Sequence, residues 1–389
     1  MCRHMLRGFA AVFLLAGACS KGSSTISPTT GSPATITTPA SSPSPSPLPA
    51  TRLASGEALP AECSPGSPQP TDTVAFAALG RAWTLSQSGE GLTCLFDVGD
   101  PGPFVWGPLG DRVQVASLQV DGLPGAQSRP ASTLVPGPSS WGHPTGKSIV
   151  FVSPDGLQLE KVHMGNTDLD DVTPLTNILP DANYLSVAYH PSGLAFAFAL
   201  ESEGEQSIWI SSNIGQNPQR LVFSEEGTTF GALAFSLDGK SLYYAAQHSD
   251  DHPELHLIKL TDTSKAPVVW HGTVGQGILD IWPGSDAKSF AFTQGKSCEE
   301  AVGMYSTSDE ASPALPDETR PTRILGWLDE TSILVAAGAC GGPVDLSSVN
   351  ISNGEVVPLV IGVDAGAVRT PAPVPAPPLP EGIGGSGFA

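Results

Sequence analysis

Apolar and polar residues alternate over short stretches along most of this 389-residue chain, and the alternation repeats. An apolar stretch carrying an aromatic residue is followed by a polar turn and then by a second apolar stretch. Six copies read VWGPLGDRVQVAS (105–117), SWGHPTGKSIVFVS (140–153), AYHPSGLAFAFAL (188–200), AFSLDGKSLYYAA (234–246), DIWPGSDAKSFAFTQ (280–294) and GWLDETSILVAAG (326–338). Gly110, Gly146, Gly193 and Gly239 mark the turns, with Ala287 and Thr331 in the matching slots, at spacings of 36, 47, 46, 48 and 44 residues. A third and a fourth short stretch follow in each copy, as in SIWISS (207–212) with RLVFS (220–224), and ELHLIKL (254–260) with PVVWH (267–271). Runs of this length and period read as β-strands. Four of them in 44–48 residues, with Gly or Pro at the turns, is the content of one propeller blade.

The expected fold is therefore an all-β propeller of four-stranded blades spanning 73–364. Residues 73–100 supply three strands ahead of the first anchor. Seven blades are expected if these form a blade of their own, and six if they cover an edge. Ring closure removes sheet edges that would otherwise pair with other chains.

Composition fits such a fold and excludes others. The 43 Gly and 38 Pro argue against long helices. A formal net charge of −20 excludes a binder of phosphate backbones, so no nucleic-acid partner is expected. Residues 19–72 differ from the repeats: they are Pro-, Ser- and Thr-rich, lack apolar periodicity, and read as a disordered tether. The Pro/Gly-rich end, 365–389, reads as a disordered tail.

At the N-terminus, Arg3 and Arg7 precede GFAAVFLLAGA (8–18), a run too short to span a bilayer. It has signal-peptide dimensions. The string LAGAC (15–19) resembles the lipobox of bacterial lipoproteins. That resemblance implies cleavage after residue 18, acylation of Cys19, and a protein held by lipid on the extracytoplasmic face of the cell membrane. An ordinary secretory signal is the alternative.

The repeat turns carry a second resemblance. FSLDGKSLYY (235–244), YHPSGLAFAF (189–198) and HPTGKSIVF (143–151) are similar to the TolB-like propeller repeat, with its aromatic-Ser-Pro-Asp-Gly-Lys turn leading into a strand. The last two copies depart most, having lost the glycine. The resemblance implies a fold but no particular activity, since propellers host unrelated functions.

No motif for a catalytic nucleophile, a phosphate loop or a cofactor is present; none is expected to be bound. QHSDDHPELH (247–256) places three histidines four residues apart, a metal-ligand spacing on a helix. Its flanks are strands, so it reads as a polar hairpin and no metal is expected. In a four-stranded blade, the loops between strands two and three share a face with the connections between blades. Those loops and connections hold Glu201, Glu203, Glu205, Asp250, Asp251, Glu299, Glu300, Asp181, Glu225, Glu226 and Glu318, whereas the opposite face has Arg112, Lys147, Lys240 and Lys288. The acidic face serves solubility or steers a cationic ligand. Glu225, Glu226, Asp250, Asp251, His252, Glu299 and Glu300 are the candidate ligand-binding residues.

Beyond Cys19, four cysteines remain in the mature chain, and four allow three pairings. Cys298 and Cys340 both follow the second strand of consecutive copies, so they are expected to pair, with Cys63 and Cys94 as the second pair. The resulting expectation is a monomeric, lipid-anchored propeller that binds a protein or envelope ligand. The alternative is a hydrolase or lyase acting on an extracellular polymer or lactone through carboxylates at the channel mouth.

Overall fold

The computed structural model describes residues 51–369, apart from 63, 67, 99–103, 107–111, 116–117, 122–127, 131–138, 142–147, 154, 164–171, 176–178, 180, 225–226, 249–251, 273–276, 287–288, 296–300, 307–308, 313–321 and 339–341, together with 378–379. Cys19 lies outside them, as do Cys63, Cys298 and Cys340. Among the described residues no helix is long and apolar enough to cross a membrane.

The described strands are antiparallel and sort into seven sheets, six of four strands and one of five. Five of the sheets take four consecutive strands in chain order, as the four-stretch repeat requires, and the other two each add a strand from the far end of the chain. Asn183–Tyr189, Ala195–Ser202, Glu205–Ser212 and Gln219–Phe223 form one; Thr228–Phe235, Ser241–His248, Pro253–Lys259 and Val268–His271 form the next. Side chains are described on every strand of four sheets and on the first two strands of the 277–312 sheet, so five blades are seen in atomic detail. The other two, within 104–130 and 139–174, are described chiefly as backbone. The fold is an all-β propeller of four-stranded blades.

Packing follows from the alternation. Phe196 and Phe198 are fully buried on the second strand of the 183–223 blade, as are Phe290 and Phe292 on that of the 277–312 blade. First strands of neighbouring sheets pack on one another: Asn183–Tyr189 on Thr228–Phe235, and Thr228–Phe235 on Gly277–Pro283. A buried side chain of this size contributes about 1.5–3 kcal/mol.

Two chain segments extend the propeller beyond its expected limits. Ala365–Val368, expected in the tail, pairs with Asp72–Ala78 through Val74↔Val368 to Ala77↔Ala365. It supplies the first strand of the blade whose other three strands come from residues 72–97. Arg52–Leu53, expected in the tether, pairs with Val356–Val363 as a fifth, outermost strand of the 322–363 blade. From there the chain runs to the neighbouring blade, where the Gly66 amide donates to the Cys94 carbonyl at 2.7 Å. Leu53 and Leu59 are buried in one apolar cluster with residues of both blades, among them Phe76, Trp83, Leu334 and Val360. The junction of first and last blades is thus closed inside by a C-terminal strand and outside by an N-terminal strap. In the expected tail, Leu379 is half-buried against the core shared by the 183–223 and 228–271 blades.

Candidate functional site

The repeat turns are built by their own side chains. In SLDG (236–239) the Ser236 hydroxyl donates to Asp238 Oδ1 at 2.7 Å, and the Lys240 amide donates to the same oxygen at 3.0 Å. Gly239 closes the turn at φ 69°, a conformation that costs glycine little. HPSG (190–193) uses Ser192 and Gly193 in the same way, with Leu194 N donating to Ser192 Oγ at 3.1 Å. Thr331, in a copy without the glycine, instead donates its amide and hydroxyl to Asp329 Oδ1.

These turns also join blades. His190 Nε2 lies 2.8 Å from the Gly239 carbonyl of the next blade. Trp327 Nε1 donates to the Trp282 carbonyl at 2.7 Å, one blade back. Deeper in, the Phe230 amide donates to Gln206 Oε1 at 2.6 Å, and the buried Lys161 ammonium donates to the Asn213 carbonyl at 2.8 Å. Burial depresses the Lys161 pKa, as expected for a cation moved out of water.

On the first strands, Asp280 Oδ2 accepts from Arg323 Nε at 2.8 Å across neighbouring blades. This carboxylate is committed to an ion pair, and the pairing gives it a structural role.

The opposite face carries the loops between second and third strands. Glu201, Glu203 and Glu205 sit there on one hairpin, with Glu203 at its tip at φ 57°, and Asp181 sits on a blade connection. Asp155, on the turn 153–158, shares this face; its pKa is lowered by bonds from the Ser153 hydroxyl and the Leu157 amide. Of the expected basic residues opposite, Lys240 lies 3.6 Å from Asp238, while the side chains of Arg112, Lys147 and Lys288 fall outside the described residues.

Among the candidate ligand-binding residues, His252 is described; its Nδ1 contacts the Gly272 carbonyl. Glu225, Glu226, Asp250, Asp251, Glu299 and Glu300 lie outside the described residues, as does Glu318. The structure does bring together the remainder of the histidine segment. Glu254, with its side chain 18% exposed, is contacted by His256 Nε2 at 3.0 Å, His271 Nδ1 at 3.2 Å and His248 Nε2 at 3.8 Å. Tyr244 stacks on His256 with ring centroids 4.7 Å apart and planes 9° from parallel. Burial, with Glu254 adding to it, raises the Tyr244 pKa. His271 was not part of the sequence expectation; the register pairing Glu254 with His271 places it there. Among the described residues, no group of three or more His, Cys, Asp or Glu is placed to hold a metal ion. Cys94 is disulfide-bonded.

No known protein family's sequence profile matches the chain, and no curated protein matches it in sequence. Solved structures do. A putative TolB from Agrobacterium tumefaciens is 14% identical, with a TM-score of 0.46 over 61% of this chain and 86% of that one. Prolyl oligopeptidase B from Galerina marginata is 10% identical, with a TM-score of 0.52 over 82% of this chain and 51% of that one. A puromycin-hydrolyzing peptidase of Mycobacterium tuberculosis is 14% identical, with a TM-score of 0.50 over 77% of this chain and 56% of that one. The chain spans about half the length of these two peptidases. The likeness to the two peptidases is one of fold, a β-propeller.

Proposed function

We propose that this chain is a lipoprotein, anchored through Cys19 on the extracytoplasmic face of a bacterial membrane, whose monomeric propeller serves as a binding or scaffold module for a protein or envelope ligand. The observation that carries the reading is the commitment of the blade-joining polar groups to one another. Asp280 is held by Arg323, His190 by Gly239, and Trp327 by Trp282. Recognition is left to the loops, where a rigid scaffold ordinarily places it. The acidic hairpin 202–205 favours a partner of opposite charge.

Seven blades are proposed for the ring. Support comes from the seven sheets and from Ala365–Val368, which completes the blade of residues 72–97. Two disulfides, Cys63–Cys94 and Cys298–Cys340, are proposed for the mature chain. The bonded state of Cys94 and the bond from Gly66 to Cys94 support the first.

The test is crosslinked capture from native membranes beside turnover assays on wall glycans and peptides. A discrete partner without turnover supports a binding module. Turnover that depends on Asp280 supports instead a hydrolase or lyase acting at the channel mouth.

A further inference from the structure

The apolar layer between the 183–223 and 228–271 blades is not filled by those blades alone. Side chains alternate along Ala195–Ser202, so Phe196 and Phe198 pack toward the preceding blade while Ala195, Ala197 and Ala199 pack toward the next. Alanine methyls fill far less of a layer than phenyl rings do. Leu185, Val222, Leu233 and Ala266 pack on this layer and stay only half-buried. Leu379, from the C-terminal segment, packs against the same layer and is itself half-buried.

Among the described apolar clusters, two take side chains from the chain's terminal segments. Leu53 and Leu59 enter one of them, and there Arg52–Leu53 is also held by ladder pairing to Val356–Val363. Leu379 is held differently. The preceding Pro378 has no amide to donate, and among the described residues no backbone hydrogen bond reaches Leu379. In the sequence Leu379 also precedes a proline, a position that favours extended backbone. A contact made through one side chain, with no ladder behind it, can be exchanged for another of the same chemistry.

We propose that the junction of the 183–223 and 228–271 blades is a seat for an aliphatic side chain on an extended, proline-flanked segment, and that the chain's own Leu379 occupies it as an internal ligand. Leu379 lies ten residues beyond Arg369, whose amide donates to the Thr73 carbonyl at 2.8 Å. So short a linker gives the attached segment an effective concentration in about the millimolar range. The tail therefore holds the seat against free peptides of the same chemistry at lower concentration, and another chain reaches it only when the tail has left. This inference goes beyond the binding role proposed above and does not depend on it.

The test is photo-labelling of the full chain by a synthetic peptide of residues 371–385 that carries a diazirine analogue of leucine at position 379. Leu379→Asp empties the seat without removing any strand of the propeller. At peptide concentrations below the millimolar range, the Leu379→Asp chain should be labelled several-fold more than the native chain, on peptides from residues 183–271. Unlabelled peptide of the native sequence should suppress that labelling, and the same peptide with Leu379→Asp should not. Equal labelling of the two chains, labelling of neither, or adducts outside residues 183–271 overturns the proposal. Leu379→Ser takes the place of Leu379→Asp if that variant does not fold.

Discussion

His190 Nε2 donates to the Gly239 carbonyl 2.8 Å away, across the boundary between two blades. The Ser192 amide donates to His190 Nδ1 at 3.1 Å, so Nδ1 must accept and the proton must sit on Nε2. Fully buried and edge-on to Phe235, the ring has no room for a second proton on Nδ1 without opposing the Ser192 N–H. Burial lowers its pKa, outweighing the opposing effects of the Gly239 bond and of Asp238. A histidine whose folded-state pKa is depressed contributes stability that is present above its unfolded value near 6.5, and that is lost as pH falls through the folded value. Urea midpoints should therefore drop between pH 7.5 and pH 5. His190→Gln, which keeps a donor toward Gly239 but does not titrate, should show a smaller drop. His190→Ala should cost about 1–3 kcal/mol at pH 7.5, the usual penalty for orphaning a buried acceptor.

The strap predicts a sharp boundary for truncation. A chain beginning at residue 51 keeps Leu53 and Leu59 in the cluster between first and last blades. A chain beginning at residue 61 loses both, with about 3–6 kcal/mol of burial. Chemical denaturation should leave the first chain at full stability and shift the second to markedly lower denaturant.

Peptide mapping without reduction should yield Cys63 linked to Cys94 and Cys298 linked to Cys340. Each bridge should contribute about 4 kcal/mol in the chain-entropy description. A peptide linking Cys94 to Cys298 or Cys340 would contradict the proposed pairing.

Acylation has its own readout. Cys19→Ala should abolish palmitate labelling and leave the unfolding midpoint of the propeller unchanged. Label retained by that variant would place the lipid elsewhere.

The repeating blades were legible because two periodicities coincide: side chains alternate at period two within strands, and aromatic-turn anchors recur at nearly constant spacing. The turn residues were legible for the same reason, since Gly193 and Gly239 occupy positions of positive φ. The closure strands were not. AGAV (365–368) is four small residues beside a Pro-rich run, and Arg52–Leu53 is a two-residue strand within a polar segment. Their pairing depends on where the first and last blades meet, which no local pattern encodes. Much the same holds for His271: fifteen residues from His256, it meets Glu254 through strand register. The acidic residues of the 202–205 hairpin, by contrast, follow directly from its place between second and third strands.

Recognition through loops rather than chemistry in the channel is tested most directly by site-specific photo-crosslinking in native membranes, paired with turnover by the purified chain. Probes at Glu203, at the tip of the acidic hairpin, and at Lys240, on the opposite face, compare the two surfaces. A discrete adduct from Glu203, absent from Lys240 and weakened by salt, with no turnover of wall glycans or peptides, is the predicted result. Turnover by the purified chain that is abolished in Asp280→Asn, with no adduct from either position, would contradict it.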